Sequence, residues 1–358
     1  MRLGRLEVRG FRNLRDGELE WAPEGALFLG ANGEGKTGLL EAMAYPALFR
    51  SLRGAPDAEL ATFGGPGFRV VVEADAPPTV RLEAAWHGSP RRKQVLVDGA
   101  PPARLADAVG RWLAVAFLPA DVALAAGPAS ERRRFLDRML SVAERTYLGS
   151  LIAYRAALAQ RNAALRQGRP DLARAFDPPL AEAGAALVRR RFAWAEWAGS
   201  RFGAELAALG EPAPATLEYL GQAALADPGT WPAALAAAES RDAARGMTTL
   251  GPHRDDLRLT VAGRLLRTFG SSGQQRSGAV ALRLLELETV RAARGTEPVL
   301  LLDDVYAELD GRRQERLAER LAAVPRQVFL TAPRRDEAPA NVHLPVWEVR
   351  AGVARPAG

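Results

Sequence analysis

The chain has 358 residues and no cysteine, which excludes disulfide bonds, thiol catalysis and cysteine-based zinc sites. Its 48 Lys and Arg residues exceed its 42 Asp and Glu residues and give a formal net charge of +6, a balance that suits a polyanionic partner. Lys36 and Lys93 are the only lysines, so arginine is common throughout and a single arginine cluster is weakly informative. No apolar run reaches the roughly 18 residues of a membrane span, and the chain opens without an apolar signal region. We therefore expect a cytoplasmic protein with no membrane partner.

The first third of the chain has the pattern of a strand-rich lobe. Apolar and charged residues alternate around Leu6, as in a half-exposed strand. Further strands are predicted at 17–21, 68–74, 79–86 and 94–97.

A glycine-rich loop follows the buried strand predicted at 25–29 and precedes a helix that we expect to begin near Thr37. The loop has the pattern G-x-x-x-x-G-K-[ST] of a phosphate-binding P-loop, in the strand–loop–helix context that this motif requires. Its glycines let successive backbone N–H groups curl around a phosphate at a helix N-terminus. Lys36 would place its charge on the β- and γ-phosphates of ATP, and the Thr37 hydroxyl would ligate Mg²⁺. The predicted nucleotide-binding residues of the loop are Gly30, Ala31, Asn32, Gly33, Glu34, Gly35, Lys36 and Thr37.

The composition changes near residue 120, where strand signals give way to helical patterns rich in Ala, Leu and Arg. Helices are predicted at 129–140, 143–167, 172–209 and 231–245. The apolar spacing is not a sustained heptad, so this segment is predicted to be a helical arm or a compact bundle rather than a long coiled coil.

Strand signals resume at residue 256, and the second half of an α/β core follows. The predicted elements are strands at 256–261, 298–302, 327–330 and 346–349 and helices at 274–294 and 312–323. Since the P-loop and this core lie on opposite sides of the helical segment, we predict one ATPase head made of residues 1–120 and 246–358. Residues 121–245 would then be an inserted helical arm domain.

Two acidic residues end the apolar run at 299–302. Such a run is typical of a central parallel strand whose carboxyl end faces the nucleotide crevice. Asp303 fits the Walker B role of holding Mg²⁺ through its water shell. Asp304 takes the position of the carboxylate that orients or deprotonates the attacking water in ABC-type ATPases. Most of these enzymes use the longer Glu, so we predict slow hydrolysis with Asp304 and Lys36 as catalytic residues; the alternative is a strand that ends in a solvated Asp pair.

The loop at 270–275, Gly-Ser-Ser-Gly-Gln-Gln, precedes the long helix that leads to the Walker B strand. It resembles the ABC signature loop, S-x-G-Q. Ser271 and Gly273, with Gln274 beside them, would contact a γ-phosphate from a helix N-terminus. In ABC-type proteins this phosphate is bound to a second subunit, so ATP would join two heads in a head-to-head dimer. The alternative is a serine–glycine helix cap.

A D-loop pattern, Glu308-Leu309-Asp310, follows Walker B. It would place Asp310 across the dimer seam, near the P-loop nucleotide of the partner. The alternative role of Asp310 is N-cap of the next helix, and the two roles are compatible.

Several further motifs occur in the order seen in the RecF family of bacterial recombination-mediator ATPases, which are related to SMC-type heads. They are Phe11-Arg12-Asn13, residues 117–121 (Phe-Leu-Pro-Ala-Asp), Gly127-Pro128 with residues 132–137, residues 249–256 (Thr-Leu-Gly-Pro-His-Arg-Asp-Asp), the Ser271 loop and residues 301–305. The resemblance covers essentially the whole chain. It implies an α/β fold: an ABC-type P-loop ATPase head with a mixed-sheet core, an antiparallel N-terminal sheet and a short inserted helical arm. It also implies that Arg12 and Asn13 lie at the nucleotide.

The resemblance further implies ATP-dependent dimerisation on double-stranded or gapped DNA, weak DNA-dependent ATP hydrolysis, and work with RecO and RecR in loading RecA. The chain departs from other ABC-type proteins in places. Thr331-Ala332-Pro333 stands where ABC transporters carry a switch histidine, and no Q-loop glutamine is recognisable. These departures disfavour a transporter ATPase subunit, and the short insertion disfavours an SMC-like chromosome-maintenance head.

Arginine clusters are the candidate DNA contacts. The residues are Arg132, Arg133 and Arg134, Arg189, Arg190 and Arg191, and the run Arg91-Arg92-Lys93. Each cluster is equally well explained as a solvated face. If a dimer encloses a duplex, its contacts should be mostly to phosphate and should weaken steeply with salt. His253, between Pro252 and Arg254, is interpreted as a brace between arm and head rather than a catalytic group.

Overall fold

The structure of the chain is a computed structural model. It describes residues 1–75, 79–306, 309–324, 326–339 and 342–357. The described residues fall into two compact units. The head unit comprises Met1–Val122, Leu206–Glu211 and Ser272–Gly358, and the arm unit comprises Ala123–Glu205 and Pro212–Ser271.

Strands and helices are numbered in chain order. The strands are β1 (Arg2–Arg9), β2 (Gly17–Glu20), β3 (Gly25–Leu29), β4 (Gly67–Asp75), β5 (Val80–Gly88), β6 (Arg91–Val97), β7 (Ala114–Phe117), β8 (Ala215–Leu220), β9 (Asp256–Val261), β10 (Arg264–Leu265), β11 (Val299–Leu302), β12 (Val328–Ala332), β13 (Val346–Arg350) and β14 (Val353–Pro356). The helices are α1 (Lys36–Leu48), α2 (Leu105–Ala108), α3 (Val122–Ala126), α4 (Ala129–Ala143), α5 (Arg145–Arg166), α6 (Pro170–Arg174), α7 (Asp177–Ala208), α8 (Trp231–Arg245), α9 (Leu266–Phe269), α10 (Ser272–Arg294) and α11 (Gly311–Ala322). None of the helices in these ranges is long and apolar enough to cross a membrane.

The head unit contains an antiparallel sheet with strand order β2-β1-β4-β5-β6. Phe68, Val70 and Val72 of β4 lie at alternate positions on one face of the strand and are buried, and Val71 on the other face is buried as well. On the other face, Arg69 forms ion pairs with Glu7 and Glu83 of the flanking strands. Alternation along each strand therefore decides which face of this sheet joins the core.

The second sheet of the head is mixed, with strand order β14-β13-β3-β12-β11-β7. Strands β13, β3, β12, β11 and β7 run parallel, and β14 pairs antiparallel at the edge. Every residue of β11 is buried, which explains its unbroken apolar sequence. Since the carboxyl ends of parallel strands meet at one edge of a sheet, the loops that follow β3, β11, β12 and β7 share that edge.

Helix α1 lies between the two sheets, contacting β4 and β5 of one and β7, β11 and β12 of the other. It is buried along most of its length, so its sequence is apolar on all sides rather than amphipathic. Phe28, Met43 and Phe329 belong to the resulting core. The two-sheet α/β head confirms the predicted fold class.

The arm unit combines α4, α5, α7 and α8 with a small antiparallel sheet of strand order β10-β9-β8. Helices α4 and α5 follow their predicted ranges closely and α8 coincides with its prediction, whereas the single helix predicted at 172–209 is divided into α6 and α7. Strand β8 was not predicted, although Leu217 and Tyr219 alternate with exposed residues along it. This alternation is hard to recognise in the sequence because the strand is short, follows two prolines and lies in an otherwise helical stretch.

The division into units differs from the predicted one at residues 246–271. These residues were assigned to the head, but β9 pairs with β8 along its whole length, which joins them to the arm unit. Conversely, Leu206–Glu211 belongs to the head unit. Strand pairing, which involves residues distant in sequence, therefore sets the boundary.

Candidate nucleotide-binding site

The P-loop connects β3 directly to α1. Gly35 has φ of 113°, in the left-handed region that glycine enters without strain, and α1 begins at the next residue. The ammonium of Lys36 donates to the carbonyl oxygens of Gly30, at 2.5 Å, and Ala31, at 3.2 Å. A β-carbon at Gly30 would lie 2.3 Å from the carbonyl oxygen of Val349, so this end of the loop accepts only glycine. The loop thus holds a cation beside backbone N–H groups at a helix N-terminus, an arrangement suited to a phosphate.

The outer wall of the loop is held by neighbouring segments of the head. Asn13 donates from Nδ2 to the carbonyl oxygen of Gly33 over 2.8 Å. The amide of Gly352 donates to the carbonyl oxygen of Glu34 over 2.9 Å, and the amide of Ala351 donates to the Glu34 carboxylate. The structure thus brings Asn13 to the P-loop, where it fixes the backbone.

Arg12 lies beside α1 but does not face the loop interior. Its Nε donates to Oε2 of Glu41 over 2.9 Å, and its Nη1 donates to the carbonyl oxygen of Glu59 over 2.9 Å. Glu41 is buried and also accepts a bond from Ser51. These bonds make Arg12 an anchor of the helix that follows the P-loop, and its predicted contact with the nucleotide stays a prediction.

The acidic end of β11 meets the end of the P-loop. The Thr37 hydroxyl donates to the Asp303 carboxylate, whose oxygens lie 3.0 and 2.9 Å away. Burial raises the pKa of Asp303, while hydrogen bonds from Thr37 and Thr331 oppose that rise. A hydroxyl and a carboxylate are hard oxygen ligands of the type that Mg²⁺ takes from proteins, so this pair fits the predicted ion.

Asp304, the predicted catalytic carboxylate, has φ of 47°, a left-handed conformation that is uncommon outside glycine. Thr331, at the end of β12, holds it there. The Thr331 hydroxyl accepts the Asp304 amide over 2.9 Å and lies 3.0 Å from Oδ1 of Asp303 and 3.2 Å from Oδ1 of Asp304. Sequence reasoning had treated Thr331 only as the replacement of a switch histidine, and its contact with both carboxylates was missed.

The loop after β7 carries a second buried network that the sequence did not reveal. Arg283 of α10 is buried and binds Asp121 through two bonds, Nε to Oδ2 at 2.9 Å and Nη2 to Oδ1 at 2.5 Å. Its Nη1 donates to Glu286 over 2.5 Å, and these carboxylates raise the pKa of Arg283 despite its burial. The network ties the loop beside the Walker B strand to α10. Its one signal in the sequence is an arginine within the apolar stretch Leu282 to Leu285.

Gly273 lies in the first turn of α10, which begins two residues before the predicted start at residue 274. A β-carbon there would lie 2.8 Å from Nη1 of Arg313, so the guanidinium rests directly against the glycine. Asp310 caps α11 by accepting the Arg313 amide over 3.1 Å, and its carboxylate forms an ion pair with the Arg313 guanidinium at 2.5 Å. Of the remaining signature and D-loop residues, Ser271 immediately precedes α10, Gln274 lies within its first turn, and Glu308 is outside the described residues.

The structure places Arg132 and Arg191, two of the predicted DNA contacts, inside the arm unit, where each is 2% exposed. Arg132 pairs with Asp256 through bonds of 2.7 and 2.9 Å. Arg191 binds Asp137 and the carbonyl oxygen of Pro252, each at 2.6 Å. A DNA phosphate cannot reach a buried guanidinium, so the predicted DNA contacts of these two residues do not fit the structure.

The other four arginines of the clusters at 132–134 and 189–191 lie nearer the surface. Arg134 and Arg189 are exposed, whereas Arg133 and Arg190 are half-buried. Each has a partner: Arg134 pairs with Glu131, Arg190 pairs with Glu144, Arg133 donates to the carbonyl of Asp255, and Arg189 donates to the carbonyl of Ala226. Arg134 and Arg189 are the members of these clusters that a polyanion could reach.

No protein-family model matches the chain, but known proteins resemble it over nearly its full length. It is 38% identical over 369 residues to the DNA replication and repair protein RecF of Anaeromyxobacter sp. (strain Fw109-5), with 99% of each chain covered. It is 38% identical over 346 residues to the protein of the same name from Myxococcus xanthus (strain DK1622), covering 92% of this chain and 90% of the relative.

Solved structures give the same result. The chain superposes with a TM-score of 0.90 and 28% identity on a structure of the recombination mediator protein RecF with ATP, of the RecFOR pathway, covering 100% of this chain and 98% of the other. An Smc head domain from Pyrococcus furiosus superposes with a TM-score of 0.56 at 16% identity, covering 99% of this chain and 96% of the other, which shows a shared fold alone. With full-length relatives of this similarity, the chain belongs to the RecF family.

Proposed function

We propose that the chain is an ATP-dependent DNA-binding protein of recombinational repair and a weak DNA-dependent ATPase. ATP binding closes two copies head to head on double-stranded or gapped DNA, and slow hydrolysis reopens the dimer. The observation that carries the proposal is the convergence of Lys36, Thr37, Asp303 and Asp304 at one edge of the mixed sheet. The solved RecF–ATP structure, similar over the full length, supports ATP as the ligand.

Each residue of this group has a defined task. Lys36 binds the β- and γ-phosphates, and the backbone of residues 30–35 orients them. Thr37 and Asp303 would hold Mg²⁺, and the ion would supply positive charge beside the phosphate oxygens. Asp304 accepts a proton from the attacking water and orients it toward the γ-phosphorus. Its carboxylate is shorter than a glutamate, so it reaches the water less well and hydrolysis is slow.

This group of residues is half of a composite site. Ser271 and Gly273 of one copy would bind the γ-phosphate held by the P-loop of the other, and Asp310 would lie near that same P-loop. The γ-phosphate then joins the two copies, and its loss on hydrolysis separates them. Such a cycle yields a clamp that closes and opens rather than high turnover.

We infer the DNA and protein partners from the family. The name of the solved relative, a recombination mediator of the RecFOR pathway, supports work with RecO and RecR in loading RecA. The net charge of +6 supports a polyanionic partner, and the exposed candidates among the predicted contacts are Arg134, Arg189, Arg91 and Arg92. Phosphate contacts would make DNA affinity fall steeply between about 50 and 200 mM salt.

The proposal is tested by measuring molar mass with light scattering, with and without Mg-ATP and duplex DNA. We expect a monomer-to-dimer shift that requires ATP and is strengthened by DNA. Lys36→Met should bind no ATP and remain unshifted, which makes it the matched control. A wild-type chain that binds ATP but keeps one mass under all conditions contradicts the proposed dimer.

A further inference from the structure

Arg313 lies where the signature helix and the D-loop meet, within the head unit. It follows the N-cap Asp310 in the first turn of α11. Its guanidinium rests against Gly273, with Nη1 2.8 Å from the position of a β-carbon on that glycine. A signature glycine and a cationic side chain are thus in direct contact.

The guanidinium of Arg313 has unused hydrogen-bonding capacity. Its side chain is 23% exposed and binds the Asp310 carboxylate through Nη1 at 2.5 Å. Within the part of the chain that the structure describes, its buried Nε has no hydrogen-bond partner. A guanidinium offers five N–H donors in a fixed fork, and an unpaired buried donor is costly. The Arg313 guanidinium is thus held by the Asp310 carboxylate but does not use all of its hydrogen-bond donors.

We propose that Arg313 is a trans-acting arginine that binds the γ-phosphate held by the P-loop of the partner copy, an assignment that rests on the proposed function. Asp310 holds the guanidinium beside Gly273 until the two heads close. The phosphate then replaces the Asp310 carboxylate as the partner of the fork.

Charge supports this assignment. Lys36 supplies a cation from the copy that binds ATP, whereas Ser271 and the Gly273 amide are neutral donors from the other copy. A guanidinium from the second copy would add a cation to Lys36 and the proposed Mg²⁺, and its fork matches phosphate geometry. The Asp310 side chain is 55% exposed, so its pairing with Arg313 is screened by water and can exchange for a phosphate.

The first test separates charge from packing. Arg313→Met keeps a long side chain over Gly273 but removes the charge and the donors. We expect unchanged ATP affinity, because the P-loop is intact, and at least a roughly hundredfold lower hydrolysis rate. Arg313→Lys should retain part of the activity, since it keeps a point charge without the fork. Arg312→Ala, which removes a neighbouring exposed arginine, should behave like wild type.

The second test asks which copy supplies the arginine. Arg313→Met is mixed in equal amounts with Lys36→Met, which binds no ATP but carries an intact Arg313. In each mixed dimer the ATP of the first variant meets the arginine of the second, which gives one competent site. Hydrolysis by the mixture should therefore exceed that of either variant alone and reach at most about a quarter of the wild-type rate, the value for random pairing.

The outcomes are distinct. Hydrolysis by Arg313→Met at the wild-type rate overturns the proposal. So does an inactive Arg313→Met that is not rescued in the mixture, because the arginine would then act within its own chain or through packing. A wild-type chain that binds ATP without dimerising contradicts the proposed function instead.

Discussion

The hydroxyl oxygen of Thr331 accepts the backbone N–H of Asp304 over 2.9 Å. The same oxygen lies 3.0 Å from Oδ1 of Asp303 and 3.2 Å from Oδ1 of Asp304. A hydroxyl carries one proton, so it can donate to only one of these carboxylates at a time. Thr331 therefore fixes the left-handed backbone of Asp304 and couples the proposed metal ligand to the proposed base.

Replacing Thr331 with Val, which has the same shape but no hydroxyl, should mainly affect the chemical step. We expect kcat for ATP hydrolysis to fall about 10- to 100-fold, the usual effect of losing a residue that orients a catalytic group. The dissociation constant for nucleotide should change only a few-fold, since Lys36 and the P-loop backbone are untouched. Thr331→Ser is the control and should retain most of the rate. Equal rates for Thr331→Val and wild type would remove Thr331 from the mechanism.

Asp304→Asn should keep ATP binding while removing the proposed proton acceptor. Because an amide cannot take the proton of the attacking water, we expect hydrolysis to fall by about 100-fold or more. The proposed dimer should then persist much longer than that of the wild type after ATP is added, as followed by light scattering. Rapid return to monomer with ATP still present would separate dimer opening from hydrolysis.

Ser271→Arg should have the opposite effect on assembly. The bulky side chain would block the signature position from the γ-phosphate of the partner, whereas the P-loop of the same chain is unchanged. We expect ATP affinity within a few-fold of wild type but a monomeric mass with ATP. Mass and nucleotide binding measured on one sample decide this prediction, and an ATP-induced dimer of Ser271→Arg would contradict the composite site.

The nucleotide half-site could be predicted because each of its two motifs is a run of consecutive residues. The P-loop fixes its own geometry, and the apolar run of β11 places Asp303 and Asp304 at the sheet edge. Thr331 and Arg283 could not be assigned in this way. Their partners lie on strands or loops that are distant in sequence, and only the parallel order of β3, β12, β11 and β7 brings them together.

The arginine clusters show a second limit of the sequence. In a chain this rich in arginine, a run such as 189–191 does not distinguish a solvated guanidinium from a buried one. Within one run, Arg189 is exposed and Arg191 is 2% exposed, because successive helical residues point about 100° apart. The helix face that packs against Asp137 decides their roles, and that face is set by tertiary structure.

Arg191→Met should therefore reduce stability. Removing the guanidinium leaves Asp137 buried with fewer partners, and breaking a buried pair in this way costs about 3 kcal/mol. Arg134→Ala, at an exposed pair, should change the free energy of unfolding by less than about 0.5 kcal/mol. Urea unfolding of the full chain measures both. A destabilisation of Arg191→Met no larger than that of Arg134→Ala would show that the buried pair is not structural.

His253 makes both of its ring hydrogen bonds inside the arm unit rather than between arm and head. Nε2 lies 3.0 Å from the Thr248 carbonyl oxygen and Nδ1 lies 2.6 Å from the Tyr154 hydroxyl. A carbonyl only accepts, so Nε2 carries the proton and Nδ1 accepts from Tyr154. Burial lowers the pKa of His253 from 6.5 to about 4, which means that the folded arm favours neutral imidazole.

The pH dependence of stability follows from that shift. Between pH 6.5 and 4 the unfolded chain binds a proton at His253 that the folded chain does not, so acidification stabilises the unfolded state. The contribution is fully present above pH 6.5, and by pH 5 the wild type should lose about 2 kcal/mol more than His253→Gln, which does not titrate. Urea unfolding of both proteins at pH 7 and pH 5 measures the difference. Parallel losses in the two proteins would show that His253 titrates in the folded arm as it does in the unfolded chain.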